Sequence, residues 1–543
     1  MSLSPVHALA FFLGFEMLPG PIQSNDTLAY QIFHSSGDVM LGGLFPFHTG
    51  VSNASNLWRP EPLTCINLNY VGVVQALAMR FAVEEINNSS MILPGRRLGY
   101  EIYDTCLQAR VLMHSAMLLV SEGLTRDIWA ICNLTTYNPR VMAVIGPGSA
   151  GIATPMVKLL STFLIPQISY AITAAKFSNK NTFPSFLRTV PSDQHQVQGM
   201  IELVAHFGWN WVASLASDDE YGRDALCQLA NLALLRNICI AYEGLIPTYG
   251  ATSKTPVVIR DIIQEVHRKN INVVILFAPA SLSRILFQEV LQLNMTKVWI
   301  ASSAWVLSEP VLSLPGIREI GTVIGFSHRG SSVPGFLEYL VSVNAELKHH
   351  KSTLSSVGFG TSTLMGYDEE GDGSSPNFAV EEMSFIRLGQ YADAVYTAVY
   401  SVAHALHEVL NCSSGKCRDV DSKIYPWQLL EAVKRVNFTV LNTSFYFDEY
   451  GNPNSGYDVV THSMDNMGYK KIGRYSGQLD INDSLVNWRT NDNQVPTSQC
   501  FSRCEPGQVK LFKGLQFCCF DCDDCSEGTF QASYGEYVNV IQS

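Results

Sequence analysis

Residues 254–277 read KTPVVIRDIIQEVHRKNINVVILF. The first half, Lys254–His267, has the spacing of an amphipathic helix. The segment ends in Val273–Phe277, VVILF, which shows no polar alternation, as a parallel strand covered on both faces requires. A helix delivering the chain to such a strand is half of a β-α-β unit, and the same alternation continues upstream. There Gln194–Phe207 predicts a helix, Trp211–Ser217 a strand, Arg223–Arg236 a helix and Ile238–Tyr242 a strand. A separate set lies earlier. Its strands are Met40–Phe47, Leu98–Thr105, Val141–Ile145 and Ile165–Tyr170, and its helices Val71–Ile86, Arg110–Val120 and Met156–Phe163. Repeated β-α-β-α means α/β with mostly parallel sheets, and two successive sets mean two lobes. Ligands in such folds sit beyond the carboxyl ends of the strands, so a cleft between the lobes is the expected site.

The bulk numbers agree. A chain of 543 residues is too long for one core. With 47% hydrophobic and 15% charged residues it packs rather than staying disordered. Its formal net charge of −12 disfavours nucleic acid and anionic lipid as partners. No apolar run reaches the roughly 18 residues that a membrane span needs. Residues 1–24 resemble a secretory signal peptide: an apolar core, Ala8–Phe15, is followed by small residues at Gly20 and Ser24, although no Lys or Arg precedes it.

One N-x-S/T sequon is weak evidence, but here there are ten, at Asn25, Asn53, Asn87, Asn88, Asn133, Asn294, Asn411, Asn437, Asn442 and Asn482. Thirteen cysteines point the same way, to an oxidising compartment. Six of them, Cys500, Cys504, Cys518, Cys519, Cys522 and Cys525, crowd into the C-terminal region. That density reads as a disulfide-stapled module too small for its own core, with zinc as the alternative because Cys519-x-x-Cys522 and Cys522-x-x-Cys525 have ligand-like spacing.

Catalytic motifs fail. His404 and His407 stand three apart on a helix and match neither H-E-x-x-H nor H-x-x-E-H. Gly146-Pro147-Gly148-Ser149 is not a nucleophile elbow, and no phosphate loop occurs. The acidic stretch Gly366–Pro376 lacks EF-hand spacing and reads as a plain loop. No enzyme, metal or cofactor is expected.

Particular stretches carry a family likeness. Gly42-Gly43-Leu44-Phe45-Pro46, VEEINN, Gly146-Pro147, FPSFLRTVPSD (183–193), FGWNW (207–211) and Asp219-Glu220-Tyr221-Gly222-Arg223 resemble class C G-protein-coupled receptors. Within that class RTVPSD, FGWNWVASLASDDEYGR, ICIAYEGLIP, TVIGFSHRG, PWQLLE and AVYSVAHALH resemble the type 1 taste receptors, from about residue 38 to about residue 528. The resemblance implies a bilobed Venus-flytrap module of the type I periplasmic-binding-protein kind, with two mostly parallel sheets and a truncated disulfide-rich C-terminal module. Lobe 1 would comprise 25–192 and 327–458, lobe 2 193–326 and 459–494, and the partial cysteine-rich domain 495–543. The implied function is the extracellular ligand-binding part of a taste receptor subunit. It would sense amino acids or sugars as a heterodimer with another type 1 taste receptor, and reach a G protein only through seven membrane helices that this sequence lacks. A secreted binding protein or decoy is the alternative.

The resemblance also assigns roles. It pairs Cys65 with Cys106, Cys239 with Cys518, Cys412 with Cys417, Cys500 with Cys519 and Cys504 with Cys522. It leaves Cys525 free and makes Cys132 an intersubunit candidate; Cys227, on a helix with no expected partner, reads as a buried thiol. The side-by-side contact would use the apolar face of Arg110–Val120, with Val111, Met113, Ala116, Met117 and Val120. For the ligand it assigns Ser149, Ala150, Ile172 and Thr173 to the carboxylate and Ser303 to the ammonium position, where relatives carry an acid. Asp193 and Tyr221 supply a carboxylate and an aromatic wall for a cation. A reading without the family makes Thr173 and Asp193 helix caps. Thr105, Gly148 and Ser149 could form a small nest for chloride, with an ordinary helix cap holding water as the alternative.

Overall fold

The computed structural model describes residues 30–52, 61–121, 134–248, 255–349, 391–413, 415–417, 423–463, 468–490 and 493–500. It also describes pieces of the C-terminal module at 504, 507–512, 518–525, 529–531 and 537–539. The proposed leader, Cys132, the loop Gly366–Pro376 and the sequons at Asn25, Asn53 and Asn133 lie outside the described residues.

Six strands form the first sheet: β1 (Gln31–Ser35), β2 (Val39–Phe45), β3 (Leu98–Asp104), β4 (Ala143–Ile145), β5 (Gln167–Ser169) and β6 (Phe186–Arg188). Their spatial order is β1-β3-β2-β4-β5-β6, all parallel except the edge strand β1. Every residue of β3 is buried, because helices cover both faces. One face packs against α1 (Tyr70–Asn88), the other against α2 (Ala109–Val120) and α3 (Ala150–Thr162).

The second sheet runs β8-β7-β9-β10-β11-β12-β13-β14. Its strands are β7 (Trp211–Ser217), β8 (Cys239–Ile246), β9 (Val273–Phe277), β10 (Lys297–Ala301), β11 (Gly321–His328), β12 (Tyr457–His462), β13 (Tyr469–Tyr475) and β14 (Leu479–Ile481). The first five are parallel and the last three antiparallel. Helices α4 (Asp193–His206) and α5 (Glu220–Leu235) cover one face. The other is covered by α6 (Thr255–Arg268) and α7 (Ala280–Gln292). After β11 the chain returns to the first lobe. It adds α8 (Phe336–His349), α9 (Ala392–Val409) and α10 (Pro426–Lys434) to the core that holds α1, and comes back through β12.

In both sheets the strand order reverses beside the first parallel strand, at β2/β4 and at β7/β9. That switch point opens a crevice at the carboxyl ends. The C-terminal module attaches at the opposite end. The carbonyl of Ser498 accepts the N–H groups of Asn210 and Trp211 at 3.1 Å each, and Trp209 Nε1 donates to Pro496 O at 2.7 Å. Cys239, the first residue of β8, is bonded to Cys518. The other described disulfides join Cys65 to Cys106, Cys412 to Cys417, Cys500 to Cys519 and Cys504 to Cys522. Cys525 is free. No described helix is long and apolar enough to cross a membrane.

Two expectations are corrected. Cys227 is free but exposed, not buried. The core face of α5 runs through Gly222, Ala225, Leu226, Leu229 and Ala233, and position 227 falls across the helix from it. The apolar residues of α2 do not form one outward face either. Val111, Ala116 and Val120 are buried in the lobe's own core, Met113 is half-buried, and of the five only Met117 is exposed.

Candidate functional site: the cleft between the lobes

Thr173 follows β5 and belongs to the first lobe; Asp193 opens α4 of the second. The Thr173 hydroxyl donates to Asp193 Oδ2 at 2.8 Å, and the Asp193 N–H donates to Thr173 O at 2.7 Å. The two lobes therefore meet at two of the residues assigned to the ligand. Asp193 is not a helix cap: that position is held by Ser192, whose hydroxyl accepts the Gln194 N–H. Burial pushes the Asp193 carboxyl up to about 7, against the Thr173 hydrogen bond and the Arg188 charge, which pull it down.

Arg188 sets the height of Thr173. This fully buried guanidinium donates to Ile172 O at 3.3 Å, Ala174 O at 2.9 Å and Asn452 Oδ1 at 2.8 Å, so it holds the carbonyls on both sides of Thr173. Ile172 is buried, and its amide donates to Ser169 Oγ at 3.0 Å. Ser149 sits at the N-cap of α3 with no side-chain cap bond, and Ala150 begins the helix, half-exposed. Near the expected anion position the Thr105 N–H already donates to Phe45 O at 3.0 Å, so that donor is taken.

The second lobe supplies the facing wall. Asp219 caps α5 by accepting the Gly222 N–H at 2.9 Å. A Cβ at Gly222 would lie 2.1 Å from the Ser217 carbonyl oxygen, so only glycine lets the helix start this close to β7. Tyr221 is thereby fixed in the first turn, its ring edge-on to Phe277 at 5.9 Å. Its buried hydroxyl lies beside that of Ser302, and neither has a partner in hydrogen-bond geometry. Ser303 is buried, and both its N–H and its hydroxyl meet Gln196, at 2.8 and 3.3 Å.

Three groups that the sequence reading did not single out, His328, Tyr391 and Tyr457, lie beside these residues. His328 lies between the rings of Tyr391 and Tyr457, at 5.3 and 5.2 Å, with neither nitrogen bonded. Burial lowers its pKa to about 3, so the ring is neutral. Tyr457 Oη reaches the carbonyls of Pro191 and Ser192 at 3.3 Å each. At the rim Lys176 and Thr154 of the first lobe meet Glu220 of the second, and Ala175 N donates to Asp224 Oδ2 at 3.0 Å.

A two-lobed α/β frame with polar groups converging at the carboxyl ends of both sheets has the form of a bilobed ligand-binding module. The chain belongs to the receptor family ligand binding region, which matches residues 74–465. It has the character of a class C G-protein-coupled receptor ectodomain, a Venus flytrap. It is 39% identical over 505 residues to taste receptor type 1 member 3 of Canis lupus familiaris, covering 92% of this chain and 59% of the relative. The human member 3 gives 39% over 511 residues with the same coverage. Taste receptor type 1 member 2 of Rattus norvegicus gives 35% over 539 residues, 96% of this chain and 62% of the relative. The chain thus spans about three-fifths of the length of the curated relatives it matches. These relatives are receptors and not enzymes.

Proposed function

We propose that this taste-receptor ligand-binding domain takes amino acids or sugars in the cleft and signals as a heterodimer with another type 1 taste receptor. The bond from Thr173 to Asp193 carries the reading, because it ties the two lobes together through residues assigned to the ligand. A ligand that touched both lobes would stabilise their contact and shift an open–closed equilibrium. Ala150 and Ser303 each remove a contact that relatives make, so binding is weak and broad, and the partner subunit is the more selective site. Calorimetry on the secreted chain tests this. Ala150→Ser with Ser303→Glu tightens amino acid binding at least tenfold, from one charge-assisted bond of about 1.5 kcal/mol. Sharp, low-micromolar selectivity in the wild type contradicts it.

The partner contact falls on the first lobe around the outward side of α2, where Met117 is exposed. Co-expression with a type 1 taste receptor partner that yields only monomers well above micromolar concentration refutes the pairing. The domain lies on the extracellular side of the plasma membrane. The sequons and the five disulfides among the described residues support that placement. Chloride would bind through the Thr105 hydroxyl and the Gly148 and Ser149 amides. A melting temperature and ligand response indifferent to replacing chloride by a bulky anion eliminates that site.

A further inference from the structure

Gln196 is buried in α4, one turn beyond Asp193. Its amide nitrogen donates to Asp193 Oδ1 at 3.1 Å and to Ser303 Oγ at 3.3 Å, while its carbonyl oxygen accepts the Ser303 N–H at 2.8 Å. One –NH2 group therefore bridges a carboxylate and the hydroxyl of the residue assigned to the ligand's ammonium. That is the set of bonds a ligand's own –NH3+ would make here. The other Asp193 oxygen is held by Thr173. Among the described residues, the Tyr221 and Ser302 hydroxyls and the neutral imidazole of His328 are buried without a partner in hydrogen-bond geometry, and none of the three carries charge.

We propose that Gln196 is a specificity-determining residue of the cleft: an internal substitute for a ligand amine, which occupies Asp193 and Ser303 and turns the site toward ligands bearing a hydroxyl instead of an ammonium group. The inference rests on the cleft being the ligand site. Removing the amide leaves a buried carboxylate and hydroxyl in need of a donor, and a cation is the strongest donor for a carboxylate.

The test is calorimetric titration of the secreted chain with L-alanine and with L-lactate, which differ at Cα only in ammonium against hydroxyl. In Gln196→Ala the ratio of the two affinities moves toward L-alanine by about ten- to hundredfold relative to wild type, the value of one charge-assisted bond. Gln196→Met keeps the length of the side chain and loses the donor. It moves the ratio the same way, and it decides the matter if thermal melting shows Gln196→Ala unfolded. An unchanged ratio in the folded variants, or no heat from either probe in them, overturns the proposal. Thr173→Ala separates the two readings. If it abolishes probe binding while the ratio ignores Gln196, only the role of Gln196 falls. If wild-type binding survives Thr173→Ala unchanged, the cleft reading falls with it.

Discussion

Asp193 is a carboxyl with less solvent than it needs. Its raised pKa, about 7 against an ordinary 3.8, means the folded protein keeps a proton that the unfolded chain has already released. Between about pH 4 and pH 7 the folded state binds more protons than the unfolded one, so this group's contribution to stability falls as pH rises and levels off above 7. Asp193→Asn removes that slope. Its melting temperature gains on the wild type as pH climbs from 4 to 7, and parallel melting curves across that range rule the idea out. A second residue-scale prediction concerns adjacent sequons. The Asn87 amide donates to Leu98 O at 2.9 Å and its Oδ1 accepts the Leu98 N–H at 2.8 Å, so this side chain holds α1 to β3. Asn88, the next residue, is exposed. Glycopeptide mapping should find sugar on Asn88 and none on Asn87, since the Asn87 amide nitrogen is turned inward onto Leu98 O and is not presented to solvent.

At the scale of elements, the strands Trp211–Ser217 and Val273–Phe277 stand where the apolar runs place them. Buried parallel strands leave an uninterrupted apolar signature, which sequence reading detects. Helix starts were less legible. The helix read from Met156 begins at Ala150, and the one read from Arg223 begins at Glu220, because caps and close backbone approach, not apolar spacing, set those ends. The cleft was legible as far as motif positions carried it, to Thr173, Asp193, Tyr221 and Ser303. Gln196, His328 and Tyr391 escaped because their roles come from neighbours far away in sequence, such as Ser303 against Gln196. The rim pair of Lys176 and Glu220 gives a test at this scale. Its side chains are 28% and 45% exposed, so water and salt screen it, and such pairs are worth about 0.2–1 kcal/mol. Glu220→Gln therefore weakens ligand binding by no more than about fivefold, and less at high salt. A loss of a hundredfold would make Glu220 a ligand contact instead.

For the whole molecule, the cleft opens at the carboxyl ends of the second sheet while the C-terminal module hangs from its amino ends, through Cys239–Cys518 and the strap at Pro496–Ser498. Native disulfides of this kind are worth about 2–5 kcal/mol. Replacing Cys239 and Cys518 by alanine should leave the lobes folded and make the segment after residue 493 the first to be cut in limited proteolysis. Equal protection with and without the bond would give the strap alone credit for the attachment. The interleaved path of the chain also has a consequence in time. The first sheet has all its strands by Arg188, yet α9, which packs on α1 and against β4 and β5, begins only at Ala392. At synthesis rates of about 5–20 residues per second, the roughly 200 residues between them take some ten to forty seconds to emerge. Through that interval a newborn chain carries an apolar surface with its cover still unmade. Damage to α9 should therefore register first as lost secretion, before any ligand is met.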